Sequence, residues 1–286
     1  QGVKAGAKLG DLIEIPLDPK RFGRIAAMSA KHVIRQGIRE AERGQLLAEY
    51  QSKQCDIVTA TVVKTDPRRG NVTVEIGRSE AILPKSEQVP GEEYKDGERI
   101  KVYVSDVING EKGPKIMISR IHPGLVKRLF EMNIPEVYDG TVEIKSISRE
   151  AGVRSKVAVT SRDENVDAVG ACIGPKGARV NSIVDELGGE KIDVIRYSED
   201  PAEFVAAALS PASVLSVEID PEVPRACRVV VPDHQLSLAI GNKGHNARLA
   251  ARLTGWKIDI RPESGFPEEE PAAPDEQQAE EAGGTL

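Results

Sequence analysis

Residues 173–180 read IGPKGARV: one apolar residue, then Gly174, Pro175, Lys176 and Gly177, then a run with helical spacing. Glycine is used where the backbone must take a positive φ or where something must come close to it. In a chain with 26 glycines one Gly-x-x-Gly is weak ground, and a plain helix-to-helix turn would explain it. The stretch recurs, however, at residues 240–249, IGNKGHNARL, with Gly241, Asn242, Lys243 and Gly244. Lys-Ile-Asp follows each loop, as KIDVIRY from Lys191 and KIDIRPE from Lys257. The elements ahead of the loops repeat as well: helix-like 122–132 and 201–209, strands 141–147 and 214–219, second strands 155–160 and 226–231, then a short helix. Asp200-Pro201-x-Glu203 is a helix start, with Asp as N-cap, Pro at the first position and Glu closing a capping box. After the first loop Val180, Ile183, Val184 and Leu187 share one helix face, which Gly188-Gly189 ends; Leu249, Ala250, Leu253 and Trp256 do so after the second. The region is a duplication of helix–strand–strand–helix–loop–helix–strand.

Two short helices joined by Gly-x-x-Gly, with a lysine in the loop and three strands behind, resemble KH domains, in the type II order. The physics agrees with that resemblance. The first N–H groups of the second helix are free and its dipole end is positive, so a phosphate can sit there if no Cβ blocks it. The resemblance implies single-stranded RNA, about four nucleotides per domain, with bases laid on an aliphatic groove. The candidate RNA-binding residues are Gly174, Pro175, Lys176, Gly177 and Arg179, and Gly241, Asn242, Lys243, Gly244, Asn246 and Arg248. Asp193 and Asp259 mark the exit strands where a base edge would be read. Neither loop is a P-loop, because Gly-x-x-x-x-Gly-Lys-Ser/Thr is absent.

Composition sets the limits. Of 286 residues 40% are apolar and only 3% aromatic, so the cores are built from Val, Ile, Leu and Ala. No run reaches the ~20 apolar residues of a membrane span, and no signal peptide opens the chain. Cys55, Cys172 and Cys227 form neither a disulfide framework nor a zinc motif, which points to the cytoplasm. His32, His122, His234 and His245 fall in no metal or triad spacing, so no enzyme, metal or cofactor is expected. The net charge of −6 is an average of unlike parts. Eight carboxylates follow Arg261, leaving 39 basic residues against 37 acidic ones before them. Residues 225–261 carry seven Lys/Arg against Asp233 and Asp259, a basic patch ahead of an acidic tail.

Residues 56–120 alternate in short strands with turns at Asp66-Pro67-Arg68-Arg69-Gly70 and Asn109-Gly110, a small barrel of the OB type. It resembles an S1 domain, although only Tyr94 and Tyr103 could serve as stacking rings. Residues 22–52 read as a long connecting helix of roughly 40 Å, broken or bent near Gly44. GDLIEIPLD at 10–18 reads as a strand. The fold class is thus multidomain α/β and all-β. The divisions are 1–51 (remnant of an N-terminal domain plus connecting helix), 52–121 (S1-like OB barrel), 122–200 and 201–262 (two type II KH domains), and 263–286 (acidic disordered tail).

Barrel, KH, KH after a helical arm resembles the NusA family of bacterial transcription elongation and termination factors. ISRIHPGLVKRLF, IPEVYDG, VGACIGPKGARV, EKIDVIRYSEDPAEFVAAALSPA and LAIGNKGHNARLAARLTGWKIDI carry the likeness. The resemblance implies a cytoplasmic monomer that binds nascent or leader RNA and modulates pausing, termination and antitermination with other antitermination factors. It implies contact with RNA polymerase mainly through an N-terminal domain, of which this chain, opening on Gln1, holds only the last strand and linking helix. The rival is an RNA-processing or degradation-complex subunit using KH and S1 modules. Polynucleotide phosphorylase, however, places KH before S1 and needs large catalytic domains.

Overall fold

The computed structural model describes residues 23–110 and 113–265, so the segment at 10–18 and the tail from 266 lie outside the described residues. Helix α1 runs unbroken over Arg24–Gln51, 28 residues and about 42 Å. No break occurs at Gly44. Nothing crowds that position, and helix formers on both sides carry a single glycine's cost of about 1 kcal/mol. The C-terminal half of α1 is anchored to the barrel. Leu46 and Leu47 pack on its core, Tyr50 is buried in it and donates from its hydroxyl to Ile76 O (2.6 Å), and Arg43 reaches Gly110 O.

The barrel is made of β1 (Ile57–Thr65), β2 (Val72–Ile76), β3 (Ser79–Leu83), β4 (Arg99–Gly110) and β5 (Gly113–Ser119), closed in the order β1-β2-β3-β5-β4. That order, with β3 parallel to β5 through Ile82 and Met117, is the OB arrangement. Alternation puts Ala60, Val62, Val72, Val74, Val102 and Val104 inside. The basic turn is tied by Asp66, whose carboxylate accepts from Arg68 N (2.9 Å) and Arg69 N (3.3 Å); these bonds hold its pKa below the usual value. Neither tyrosine offers an open ring. Tyr103 is buried and stacked on His122 (centroids 4.5 Å apart), and Tyr94 is half-buried with its hydroxyl on Glu92.

The first repeat comprises α2 (Pro123–Asn133), α3 (Pro135–Tyr138), β6 (Val142–Glu150), β7 (Arg154–Ser161), α4 (Ala168–Ile173), α5 (Ala178–Glu186) and β8 (Lys191–Arg196). The second comprises α6 (Pro201–Ala208), β9 (Ser216–Ile219), β10 (Ala226–Val231), α7 (Leu236–Ile240), α8 (His245–Thr254) and β11 (Lys257–Pro262). Each sheet has one antiparallel and one parallel pair, β6-β7-β8 and β9-β10-β11. The short helix α3 is an addition that the repeat did not suggest. Asp200 does cap α6, accepting from Ala202 N (2.9 Å), but Glu203 closes no box; it accepts from Ser198 Oγ (2.8 Å).

The two repeats share a core. On β7, Val157 and Val159 face the helices of their own domain, while Ala158, with Ile195 of β8, packs among Phe204, Val205, Ala208 and Ala250 of the second. Lys156 lies fully buried in this seam, donating to Asp193 Oδ2 (3.1 Å) and Ser210 O (2.7 Å). Burial pulls its pKa down, and Asp193 opposes the shift. Next to Lys156 along β7, Ser155 donates from Oγ to Glu190 (2.6 Å), which is buried against Arg149 (2.9 Å) and also accepts from Gly152 N (3.0 Å). Arg149 in turn donates to His122 O (3.0 Å), and Lys101 of the barrel pairs with Glu186 (2.9 Å), joining barrel and first repeat.

Replacing Glu190 with Ala leaves the Arg149 guanidinium buried without its counter-charge, a loss of about 3–5 kcal/mol. Calorimetry of the intact chain should show the transition containing the first repeat at markedly lower temperature. An unshifted melt would show that the pair carries no stability.

Candidate nucleic-acid interface

The two loops have the same backbone. Gly174 sits at φ 72, ψ 174 and Gly241 at φ 76, ψ 167, a region open essentially to glycine alone. Lys176 (φ 52, ψ 26) and Lys243 (φ 52, ψ 23) are both left-handed, as are Gly177 and Gly244, the N-caps of α5 and α8. In each loop the second glycine donates its N–H to the carbonyl of the first at 3.1 Å. Neither cap glycine has a side chain to bind the opening N–H groups, and no acidic residue occupies the first turn of either helix. Pro175, Lys176, Asn242 and Lys243 are exposed at the tips. Strands β8 and β11 are sheet edges, each with one open row of backbone groups, and exposed Ile173, Leu238 and Ile240 flank the loops. A positive helix end, a Cβ-free approach and aliphatic flanks suit a phosphate with bases beside it.

Several expected site residues do other work. Arg179 lies beneath Gly174 and donates from Nη1 to Glu136 Oε2 (2.8 Å) and Ala171 O (2.6 Å). Asn246, two residues past the second loop as Arg179 is past the first, is buried and donates to Leu209 O (3.0 Å) and Ala239 O (2.9 Å). Both brace their loop from below. Asp193 is held by Arg154 (2.6 and 2.8 Å) and Lys156, on the sheet face that meets the second repeat. Asp259 is exposed on the corresponding face of β11 and accepts from Arg261 Nε (2.9 Å). The side chains of both aspartates thus point away from their loop helices. The basic stretch 225–261 also divides: Lys243, Arg248 and Arg252 belong to the loop and α8, whereas Arg228 and Arg261 lie on the outer sheet face beside Glu218 and Asp259.

One contact was not legible in the sequence. Nδ1 of His245, the first residue of α8, hydrogen-bonds to Glu150 Oε2 of the first repeat (2.7 Å), and Arg248 Nη1 stands 3.7 Å from Glu150 Oε1. Cys172 is buried packing, and burial raises its pKa to about 12. Among the described residues no cluster of His, Cys, Asp or Glu could hold a metal, and no helix is long and apolar enough to cross a membrane.

Family models match in series along the chain: the NusA N-terminal domain over residues 1–44, the S1 RNA binding domain over 53–119, and the NusA-like first and second KH domains over 120–197 and 201–268. The transcription termination/antitermination protein NusA of Halalkalibacterium halodurans is 55% identical over 264 residues, 92% of this chain and 68% of that protein. The chain belongs to the NusA family. The Bacillus subtilis NusA is likewise 55% identical over 264 residues, 92% of this chain and 70% of its own length. That of Mycobacterium tuberculosis H37Rv is 52% identical over 262 residues, 87% and 75%. The NusA N-terminal match begins at residue 1 and ends inside α1, so it takes in the whole opening segment, where the residue pattern suggests only a closing strand and a helix.

The braces rank the two glycines. A Cβ at Gly174 would meet Arg179 Cγ at 2.7 Å, Cδ at 2.9 Å and Cβ at 3.1 Å, all side-chain atoms, so the arginine must shift on its Glu136 and Ala171 contacts while the helix backbone stays in place. At Gly241 it would meet Asn246 Cβ at 2.8 Å and Asn246 N at 2.9 Å, so the first turn of α8 must move. Both substitutions to Ala incur strain of about 1–3 kcal/mol, and G241A should lower the melting temperature more than G174A. The reverse order in thermal melts would refute the bracing role of Asn246.

Proposed function

We propose that this chain is a non-catalytic transcription factor that holds nascent single-stranded RNA on its two KH loops and modulates pausing, termination and antitermination. The observation that carries this reading is the pair of loops with matched dihedrals, an exposed lysine at each tip and an uncapped helix N-terminus behind. Family membership supports it, since the relatives are named for transcription termination and antitermination. In this reading Lys176 and Lys243 meet the phosphates. Gly174, Gly177, Gly241 and Gly244 let the backbone approach, Pro175 and Asn242 shape the tips, and the open edges of β8 and β11 read the bases. RNA polymerase is met through the N-terminal domain matched at residues 1–44. The protein acts as a cytoplasmic monomer, alongside other antitermination factors.

The double variant Lys176→Asp, Lys243→Asp should lose most single-stranded RNA affinity with its melting temperature unchanged. With two or three phosphates neutralised per domain, the wild-type slope of log K against log salt should be about −3 to −4, from ~0.7 per phosphate. A folded double variant with wild-type affinity would sink the clamp assignment.

The shared core between the repeats predicts one continuous reader. Affinity should climb steeply as RNA lengthens from about five to about ten nucleotides, with two grooves of about four each, and then flatten. The gain is on the order of a hundredfold when two sites are rigidly linked, and loss of either loop should remove most of it. A smooth rise with length that is indifferent to either loop would mean two independent sites.

A further inference from the structure

We propose that Glu150, a residue of the first KH domain, is a resident anion at the clamp of the second, and that an RNA phosphate takes over the side chains it holds, Arg248 and His245. This rests on the RNA-binding reading above and adds to it a residue that sets affinity from across the domain boundary. Glu150 ends β6, and its side chain is about one quarter exposed. Its carboxylate bonds to His245 Nδ1 at 2.7 Å and stands 3.7 Å from Arg248 Nη1, while Arg248 Nη2 donates to Lys243 O (3.2 Å) inside the loop itself. Helix α8 supplies no acid in its own first turn, and its cap is a bare glycine. The negative charge at its positive end therefore comes from the neighbouring domain, in the place favoured by the helix dipole.

Two comparisons separate this role from that of a strut. Helix α8 is already fixed without Glu150: Asn246, Leu249, Ala250 and Leu253 are buried, and the helix packs on β6 and β7. In the first repeat the positions matching His245 and Arg248 are Ala178 and Asn181, so that loop has no such reserve of side chains for a phosphate. Arg179 there is committed to Glu136 and a backbone carbonyl beneath the loop. The first clamp presents its lysine alone. The second presents Lys243 and keeps His245 and Arg248 on a carboxylate that a phosphate must outcompete. Because Arg248 is about half exposed, it needs only a small swing to leave Glu150 for a ligand at the loop.

The test is Glu150→Gln in the intact chain, which keeps the shape of the side chain and removes its charge. Binding of a fixed-sequence single-stranded RNA of about ten nucleotides is measured across a salt series. The expected result is affinity about threefold to fivefold above wild type at low salt, with a log K–log salt slope steeper by about 0.7, one further phosphate neutralised. Adding Arg248→Ala to Glu150→Gln should abolish both gains. If wild type binds and E150Q binds equally or more weakly, Glu150 is a strut and the inference is overturned. If wild type fails to bind the RNA at all, the RNA-binding reading falls first and this inference falls with it.

Discussion

A single layer of helices serves two sheets. Helices α6 and α8 carry Phe204, Val205, Ala208, Ala250 and Leu253, which pack on one side against Val229 and Val231 of their own β10 and on the other against Ala158 and Ile195 of the preceding domain. Apolar burial is non-directional, so such a seam alone would permit sliding. Lys156 removes that freedom. A buried ammonium must be satisfied, and its partners, Asp193 on one domain and Ser210 O on the other, are met in one register only. Everything proposed for the RNA surface depends on this seam. It fixes the spacing of the two loops and brings Glu150 to α8.

The loops show how an unusual backbone shape is maintained. Each holds three unusual conformations within four residues, at Gly174, Lys176 and Gly177 or at Gly241, Lys243 and Gly244. Lysine gains nothing locally from a left-handed φ; glycine or asparagine would be more at ease there. A cation kept at that strained position, twice, is better explained by what it meets than by the turn it makes. The strain persists because side chains beneath over-determine the loop. The braces differ chemically, an arginine on a carboxylate in the first domain and a buried amide on two carbonyls in the second. The same backbone emerges from both, which marks the loop shape as the quantity being maintained.

Much of this architecture was legible because it is periodic. Alternation fixed the barrel strands, and the repeated order of elements fixed the two KH domains and their loops. The misses share one physical cause: a side chain's partners lie outside its own stretch of chain. Arg179 and Asn246 look like surface residues next to a binding loop, and only the packing turns them inward. The strand SKVAV puts a lysine inside an apolar run, a readable oddity, but its meaning depends on a carbonyl from the next domain. Gly44 suggested a break or bend because glycine is a poor helix former, yet the helix runs on through it with strong helix formers on both sides. Glu150 carried no local signal at all.

The duplication also explains where the stack of domains changes character. Register equates Lys156–Asp193 on β7 and β8 with Arg228–Asp259 on β10 and β11. In the first repeat this pair is buried beneath α6 and α8 of the second. In the second repeat the same face is open, and Ala158 and Ile195 are replaced by Val230 and Arg261. Charges now alternate across three strands, Glu218, Arg228, Asp259 and Arg261, with Arg228 and Asp259 each about half exposed. A lysine suits the buried position because one compact ammonium can be satisfied by two oxygens. An arginine suits the open one, where its longer, weakly hydrated fork can lie among flanking carboxylates. Among the described residues, one sheet face thus serves as a dry joint in the first domain and as a self-neutralising, exposed surface in the second.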